Sequence, residues 1–186
     1  FNFNRKNGVK MNFILTWFQK KDEKIFYFIF NNLLLQSVWD NILKFISKTA
    51  DGYLLLFILT YGFFSIEKYN HFIACCLLTV VIERSLYIIL KKVLKRPRPF
   101  DKLKGIKSRI IPFDKFSFPS GHTACATVTT IIIFNYFPTF LLIPFVIWNI
   151  SVGVSRVYLG VHYPSDIFFG FLVGYTSFNI SRFIII

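Results

Sequence analysis

Five long apolar segments separated by short polar breaks constrain the fold of this 186-residue chain. The segments lie at roughly residues 50–66, 72–90, 120–137, 139–157 and 165–185. A membrane-spanning helix needs about 20 apolar residues, with a lower limit near 17. Tight connections between such segments favour antiparallel helical hairpins. The pattern therefore predicts an all-α fold, an integral membrane helical bundle.

The composition also indicates that lipid surrounds much of the chain. Hydrophobic residues make up 54% of the sequence and charged residues 17%, whereas a typical soluble domain is about 25% charged. The length suits one domain. Residues 1–10 precede the single methionine, Met11, and we interpret them as an upstream leader or an artificial extension. We therefore expect a single membrane domain over residues 11–186.

The region 11–49 has two interpretations. Residues 25–39 are mostly apolar, but Asn31 and Asn32 interrupt them, and charged residues follow at helical spacing. This region forms either a first spanning helix or a pair of amphipathic helices lying in the membrane interface. The expected number of transmembrane helices is therefore five or six.

Positive charge is concentrated after the second apolar segment. Ten basic residues lie between Lys91 and Lys115 against Asp101 and Asp114, a net charge of +8 in a chain of net charge +13. Such a cluster binds anionic lipid, phosphate or nucleic acid. Because apolar segments flank the cluster, we expect the membrane and a lipid phosphate as partners and no nucleic acid.

Cysteines and carboxylates provide few candidates for a metal site. The three cysteines lie inside apolar segments without the spacing of metal ligands. Of the nine carboxylates, Asp166 alone lies within a histidine motif, whereas a two-metal catalytic site needs a denser set of ligands. We therefore predict no metal and no other cofactor.

Three short motifs at the ends of apolar segments carry the candidate site residues. They combine three cations, two histidines, one carboxylate and a Ser-Gly pair at a helix start: Lys91 with Arg98, then Ser120, Gly121 and His122, then Arg156, His162 and Asp166. Cations and helix N-terminal amides bind a tetrahedral oxyanion such as phosphate. Two spans separate the loop 95–119 from residues 156–164, so both lie on the same side of the membrane.

The histidines and the carboxylate could add catalysis to phosphate binding. Asp166 lies four residues after His162, where its carboxylate could hold Nδ1–H and leave Nε2 as the nucleophile. His122 at the helix start could supply a proton. Each motif alone also has a plain structural interpretation, as a helix cap or as charges that extend to the interface. We prefer the latter interpretation for Lys92, Lys95 and Arg96.

Two charges fall inside a predicted span, Glu83 and Arg84, and intramembrane charges are candidates for function. Glu83, Tyr87 and Lys91 follow one another at four-residue intervals, so Glu83 could orient the lysine through the tyrosine. A structural Glu83–Arg84 pair facing the bundle is the preferred interpretation.

Together, the three motifs resemble the signature K-x6-R-P, P-S-G-H, S-R-x5-H-x3-D of the type 2 phosphatidic acid phosphatase (PAP2) superfamily. Membrane members of this superfamily share a core with vanadium haloperoxidases, and the signature lies within residues 91–166. The resemblance implies that His162 forms a phosphohistidine, that Asp166 orients it and that His122 protonates the departing oxygen. It further implies phosphate binding by Lys91, Arg98, Ser120, Gly121 and Arg156, without a metal.

The expected protein is therefore a metal-independent integral membrane phosphatase that hydrolyses the terminal phosphate of a lipid phosphate or pyrophosphate. Undecaprenyl pyrophosphate, phosphatidylglycerophosphate, phosphatidic acid and the phosphate of lipid A are candidate substrates, which the motifs do not rank. A lipid phosphotransferase and a non-catalytic headgroup carrier are the alternatives. The sequence leaves the sidedness open, and the resemblance implies a bacterial inner membrane protein with an extracytoplasmic active site.

Overall fold

A computed structural model describes residues 18–31, 37–66 and 69–185. Within these ranges the secondary structure is helical, without strands. Helix α1 covers residues 18–31. The later helices are α2 (Ser37–Thr49), α3 (Tyr53–Ser65), α4 (Tyr69–Leu94), the short α5 (Pro99–Lys102), α6 (Gly121–Tyr136), a 3₁₀ turn (Thr139–Leu141), α7 (Leu142–Tyr158) and α8 (Pro164–Ile185). Each of the five predicted apolar segments forms one helix, so the all-α prediction is confirmed.

Three helical stretches in the described ranges are long and apolar enough to cross a membrane: Asn70–Lys102, Thr139–Tyr158 and Pro164–Ile185. Helix α3 is apolar but has 13 residues, and α6 has 16, below the usual minimum of about 17. These helices form an integral membrane bundle. The count of five or six spans stays a prediction.

Helix α4 is longer than its apolar segment predicts. It begins at Tyr69 and continues through Lys91 to Leu94, because lysine is a good helix former whose long stem can lie along an apolar surface. The helix ends shortly before Pro97, which restricts the backbone of the residue that precedes it. Lys91 therefore lies in the last turn of the helix, just before the loop that contains Arg98.

Two glycines of α8 allow close packing against α6. A Cβ on Gly170 would lie 2.7 Å from the Ser120 carbonyl oxygen, and one on Gly174 would lie 2.7 Å from that of Ala124. Small residues permit this approach of helix backbones in a membrane protein. The Ser120 backbone N–H also donates to the Asp166 carbonyl at 3.0 Å. The packing therefore brings the N-terminal ends of α6 and α8, which carry two of the three motifs, into contact.

Two helical stretches, α1 and α2, are described in the N-terminal region. Phe26 and Phe30 of α1 are buried against Tyr163 and Ile167 at the start of α8, and Leu43 of α2 packs in a buried cluster that includes residues of the α7–α8 connection. Neither helix is among the long apolar ones. Whether residues 11–49 form a first span or interfacial helices stays a prediction, but both described stretches pack against the end of the bundle that carries the motifs.

Candidate active site

One cavity of about 550 Å³ collects most of the predicted site residues. Six of the eight line it: Lys91, Arg98, Gly121, His122, Arg156 and His162. The other two, Ser120 and Asp166, are fully buried and are not part of the cavity wall. Three separate motifs thus meet around one space, with Ser120 and Asp166 behind it.

Ser120 is the N-cap of α6, as its position before the helix predicts. Its backbone is extended and its Oγ accepts from the Thr123 N–H at 3.4 Å. The same Oγ lies 2.9 Å from the Thr123 hydroxyl, so the Ser120 side chain is engaged with the helix start. A Cβ on Gly121 would come within 2.8 Å of the Tyr87 ring. A side chain here would force the tyrosine ring to shift.

His162 is buried between Arg98 and Asp166. Its Nε2 lies 3.5 Å from Nη1 of Arg98, and its Nδ1 lies 3.6 Å from Oδ2 of Asp166. Burial lowers the pKa of His162 well below its usual value, and the charges of Arg98 and Arg156 lower it further. The ring is therefore neutral at physiological pH, which leaves it a nitrogen lone pair for attack on an electrophile.

The Asp166 carboxylate is closer to other donors than to His162. The 3.6 Å separation exceeds hydrogen-bond length, and Nδ1 of His162 has no hydrogen-bond partner within the described residues. Oδ2 of Asp166 accepts from the Tyr163 N–H at 2.8 Å, and Oδ1 accepts from Arg96 at 2.6 Å. Catalytic hydrogen bonds are often long without substrate, so this spacing keeps an orienting role open to Asp166.

Arg96 was expected to extend toward the membrane interface, and this interpretation is wrong. The Arg96 side chain is 21% exposed, and its guanidinium joins Asp166 to Asp22 of α1, with Nη2 2.5 Å from the Asp22 carboxylate. Asp22 also accepts from the backbone N–H and the hydroxyl of Ser165. The sequence does not distinguish Arg96 from the other basic residues of this stretch, so its contacts with Asp22 and Asp166 could not be predicted.

Asp114 holds the two cations that the first motif provides. Its Oδ2 lies 2.6 Å from Lys91 Nζ, and its Oδ1 lies 2.6 Å from Arg98 Nη2. Burial alone would raise the pKa of Asp114, but hydrogen bonds from Lys91 and Tyr87 and the charges of Lys91 and Arg98 lower it to about 2. A carboxylate thus occupies donors that were predicted to hold phosphate. In the sequence Asp114 is an isolated acid in a basic loop, and no motif indicated this role.

Tyr87 bridges the same cluster, whereas Glu83 does not. The Tyr87 hydroxyl donates to Asp114 at 2.6 Å and accepts from Lys91 at 2.7 Å. Glu83 is bonded to Arg84, with Arg84 Nη2 2.6 Å from Oε1. The structural Glu83–Arg84 pair is therefore present. The proposed route from Glu83 through Tyr87 to Lys91 is not, because Asp114 takes the hydroxyl proton.

The C-terminal end of α2 and the turn after it supply partners for His122 and Arg156. Asp51 Oδ1 lies 2.7 Å from Nε2 of His122, and Ser47 Oγ lies 2.5 Å from Nη1 of Arg156. Neither Ser47 nor Asp51 belongs to a motif, and no periodic pattern marks them in the sequence. Their positions follow from the packing of α2 against α7, which no local feature encodes.

No group of three or more His, Cys, Asp or Glu side chains in the described ranges is arranged to hold a metal ion. Among the motif residues that line the cavity, the charged side chains are those of Lys91, Arg98 and Arg156.

The fold and this cavity define a helical membrane protein with a cavity lined by cations and two histidines. The model of the PAP2 superfamily matches residues 68–184, and the chain belongs to this superfamily. The resemblance drawn from the three motifs is thereby confirmed.

Comparisons with known proteins agree with this assignment. The chain is 31% identical over 101 residues to an undecaprenyl-diphosphatase of Sulfolobus acidocaldarius, covering 52% of this chain and 49% of that protein. The crystal structure of Aquifex aeolicus LpxE superposes with a TM-score of 0.75 at 26% identity, covering 86% of this chain and 93% of that one. A PAP2 type phosphatidylglycerolphosphate phosphatase from Bacillus subtilis gives a TM-score of 0.72 at 26% identity, covering 89% and 85%.

The chain spans about half the length of the curated relatives it matches. Three of the side chains that support the motifs, Asp22, Ser47 and Asp51, lie before the residues that match the superfamily. The helix pair and the turn after it therefore contribute to the site from outside the matched part of the chain.

Proposed function

We propose that this protein hydrolyses the terminal phosphate of a lipid phosphate or lipid pyrophosphate within the membrane. The observation that carries the proposal is that the cavity has both a polar, cationic part and an apolar part. One part of its wall holds the motif cations and histidines, and another part consists of aliphatic side chains of α3, α4 and α6: Leu55, Leu56, Leu59, Leu77, Val80 and Val128. A ligand with a phosphate head and a hydrocarbon tail matches both.

His162 is the proposed nucleophile. Its neutral ring is held beside Arg98, and its Nε2 lone pair forms a bond to phosphorus while the bond from phosphorus to the lipid-side oxygen breaks. That oxygen takes a proton from His122. Water then attacks the phosphohistidine, His122 removes the water's proton, and the bond to His162 breaks to release inorganic phosphate. Each step uses groups that line the cavity.

Lys91, Arg98 and Arg156 are the proposed ligands of the phosphate oxygens, together with the backbone N–H of Gly121. Fixed cations and amides in a site shielded from water stabilise charge that develops in a transition state. Asp114 now shares Lys91 and Arg98, so a bound phosphate competes with this carboxylate for them. The Ser120 hydroxyl must turn from Thr123 to reach the phosphate, and Asp166 acts on His162 from behind.

The names of the relatives support lipid phosphates as the substrate class, since one is an undecaprenyl-diphosphatase and another a phosphatidylglycerolphosphate phosphatase. Phosphatidic acid and lipid A phosphates have the same head chemistry. We place the protein in a bacterial inner membrane with the cavity mouth on the extracytoplasmic side, as expected for bacterial members of the superfamily. The reaction proposed here needs no metal, because cations of the chain supply the charge.

Phosphate release by the purified protein in detergent, measured with EDTA present over a panel of lipid phosphates and pyrophosphates, tests the proposal. We expect release from at least one lipid substrate and little from a short water-soluble phosphate ester. Transfer of phosphate to a lipid hydroxyl without free phosphate would identify a phosphotransferase. Binding of the lipids without any turnover would identify a carrier.

A further inference from the structure

Asp51 contacts one of the two histidines of the cavity, although no motif includes it. It lies in the turn between α2 and α3, and its Oδ1 is 2.7 Å from Nε2 of His122. Asp51 and His122 both line the cavity, with side chains 25% and 18% exposed. At this distance an ionised carboxylate accepts a hydrogen bond from a protonated ring nitrogen.

The other surroundings of His122 disfavour a proton on its ring. Apart from Asp51, the charged and titratable groups that share its cavity are Tyr53 of α3, Glu83, Arg84, Tyr87 and Lys91 of α4, Arg98 and Asp114 of the next loop, Cys125 of α6, Arg156 of α7 and His162 before α8. Glu83 is neutralised by Arg84, and Asp114 by Lys91 and Arg98. The helix N-terminus adds further positive potential.

The Asp51 carboxylate opposes this positive surplus. Burial raises the pKa of Asp51, and the charges of Arg156 and Lys48 act against that rise. A general acid has to carry a proton when the substrate arrives, and a carboxylate in direct contact favours the charged imidazolium. The contact with Asp51 therefore favours the protonated His122 that the proposed reaction requires.

We propose that Asp51 is a positioning residue for His122: it accepts Nε2–H, favours the charged ring and leaves Nδ1–H to protonate the departing oxygen. This inference rests on the proposed phosphatase function. As the bond from phosphorus to the lipid-side oxygen breaks, the Nδ1 proton moves to that oxygen. The ring becomes neutral, and its remaining proton stays on Nε2, hydrogen-bonded to Asp51. Asp51 itself touches neither the phosphate nor the departing oxygen.

The turn does not need the Asp51 side chain for its own structure. Ala50 N–H donates to the Ser47 carbonyl and Asp51 N–H donates to the Lys48 carbonyl, and Gly52 has a positive φ of 103° that suits glycine. Thr49 is fixed by its own bonds to the Ile46 carbonyl and the Trp148 indole. Asp51→Asn keeps the shape of the side chain and removes its charge.

Two measurements on the full chain in detergent test this proposal. The first follows the pH titration of His122 by NMR in the wild type, Asp51→Asn, Asp51→Glu and the matched control Thr49→Ala. The second follows kcat and KM against pH on a lipid monophosphate and a lipid pyrophosphate. His71→Ala and His162→Ala assign the ring signals.

In Asp51→Asn we expect the midpoint of the His122 titration and the alkaline limb of kcat to move together to lower pH. On the monophosphate kcat falls about 10- to 100-fold with KM nearly unchanged, since a general acid typically contributes 10²–10⁴-fold. The loss on the pyrophosphate is smaller. Asp51→Glu recovers part of kcat, and Thr49→Ala leaves both midpoints in place.

A double-mutant cycle separates action through His122 from a structural effect. If Asp51 acts through His122, Asp51→Asn costs little further activity in a His122→Ala background. An unchanged His122 titration in Asp51→Asn, or an equal loss in both backgrounds, would overturn the proposal. If the wild type releases no phosphate from any lipid while Asp51→Asn still shifts the His122 titration, the pairing stands and the proposed hydrolysis fails.

Discussion

His122 and His162 occupy different environments, and this difference supports different roles. His162 is buried and next to Arg98, where a neutral nucleophile is favoured. His122 is partly exposed and paired with Asp51, a carboxylate that can accept a hydrogen bond from its ring. Histidines with specific charged partners in one cavity are typical of functional sites.

We expect His122→Ala to slow hydrolysis of a lipid monophosphate more than hydrolysis of a lipid pyrophosphate. The alkoxide that leaves a monophosphate needs a proton, whereas a phosphate monoester leaves more easily without one. Steady-state rates of this variant on one substrate of each kind provide the measurement, with His162→Ala, which should impair both equally, as the comparison. Equal losses on both substrates for His122→Ala would remove it from the general-acid role.

At this scale the sequence predicted the motif residues but not their partners. Lys91, Arg98 and the two histidines occur at spacings that only a shared function explains, so they could be grouped before the fold was known. Asp51 and Asp114 are single acids in polar stretches and become meaningful only through tertiary contacts. The expected Asp166–His162 hydrogen bond is also absent at 3.6 Å, because Arg96 and the Tyr163 N–H hold the carboxylate.

Among the elements, the loop between α4 and α6 controls the charge of the cavity through Asp114. We expect Asp114→Asn to lower KM for a lipid phosphate and to strengthen inhibition by vanadate, because Lys91 and Arg98 lose a competing carboxylate. Asp101→Asn is the matched control, since Asp101 lies in the same loop and is exposed. A raised KM in Asp114→Asn would instead show that Asp114 positions the two cations for substrate.

Asp22 links helix α1 to the end of the bundle that carries the motifs. Because Asp22→Asn leaves Arg96 without half of its charge partners, we expect a loss of about 1–3 kcal/mol in the free energy of unfolding. A lower Tm in detergent is the observable. Glu23→Gln is the control: its partner Lys102 is exposed, and surface pairs contribute about 0–1 kcal/mol. Equal Tm values for the two variants would mean that α1 is held by its phenylalanines alone.

The elements differ in how well the sequence predicted them. Helices α3, α4, α6, α7 and α8 follow from long apolar runs bounded by polar breaks. The region of α1 and α2 was left open because its short amphipathic stretches have no comparable length, and their docking depends on contacts such as Phe26 with Tyr163. Helix α4 continues past its apolar segment because the lysines at 91 and 92 remain helical.

At the scale of the whole molecule, the proposed chemistry depends on cations fixed by the fold. We expect phosphate release to be unchanged by EDTA and to be inhibited by vanadate, which can adopt the five-coordinate geometry of phosphorus in the transition state. Assays with and without chelator, at matched ionic strength, provide the measurement. Activity lost in EDTA and restored by magnesium would contradict a metal-independent reaction.

The central claim is that the phosphoryl group passes through His162, and rapid quenching tests it most directly. Wild-type protein mixed with a ³²P-labelled lipid phosphate should carry label that is stable in alkali and lost in acid, as expected for a phosphohistidine. His162→Ala should carry no label and have lost several powers of ten in kcat, as is typical for removal of a nucleophile. Turnover without labelled protein, or more than about a few per cent of activity in His162→Ala, would contradict the account.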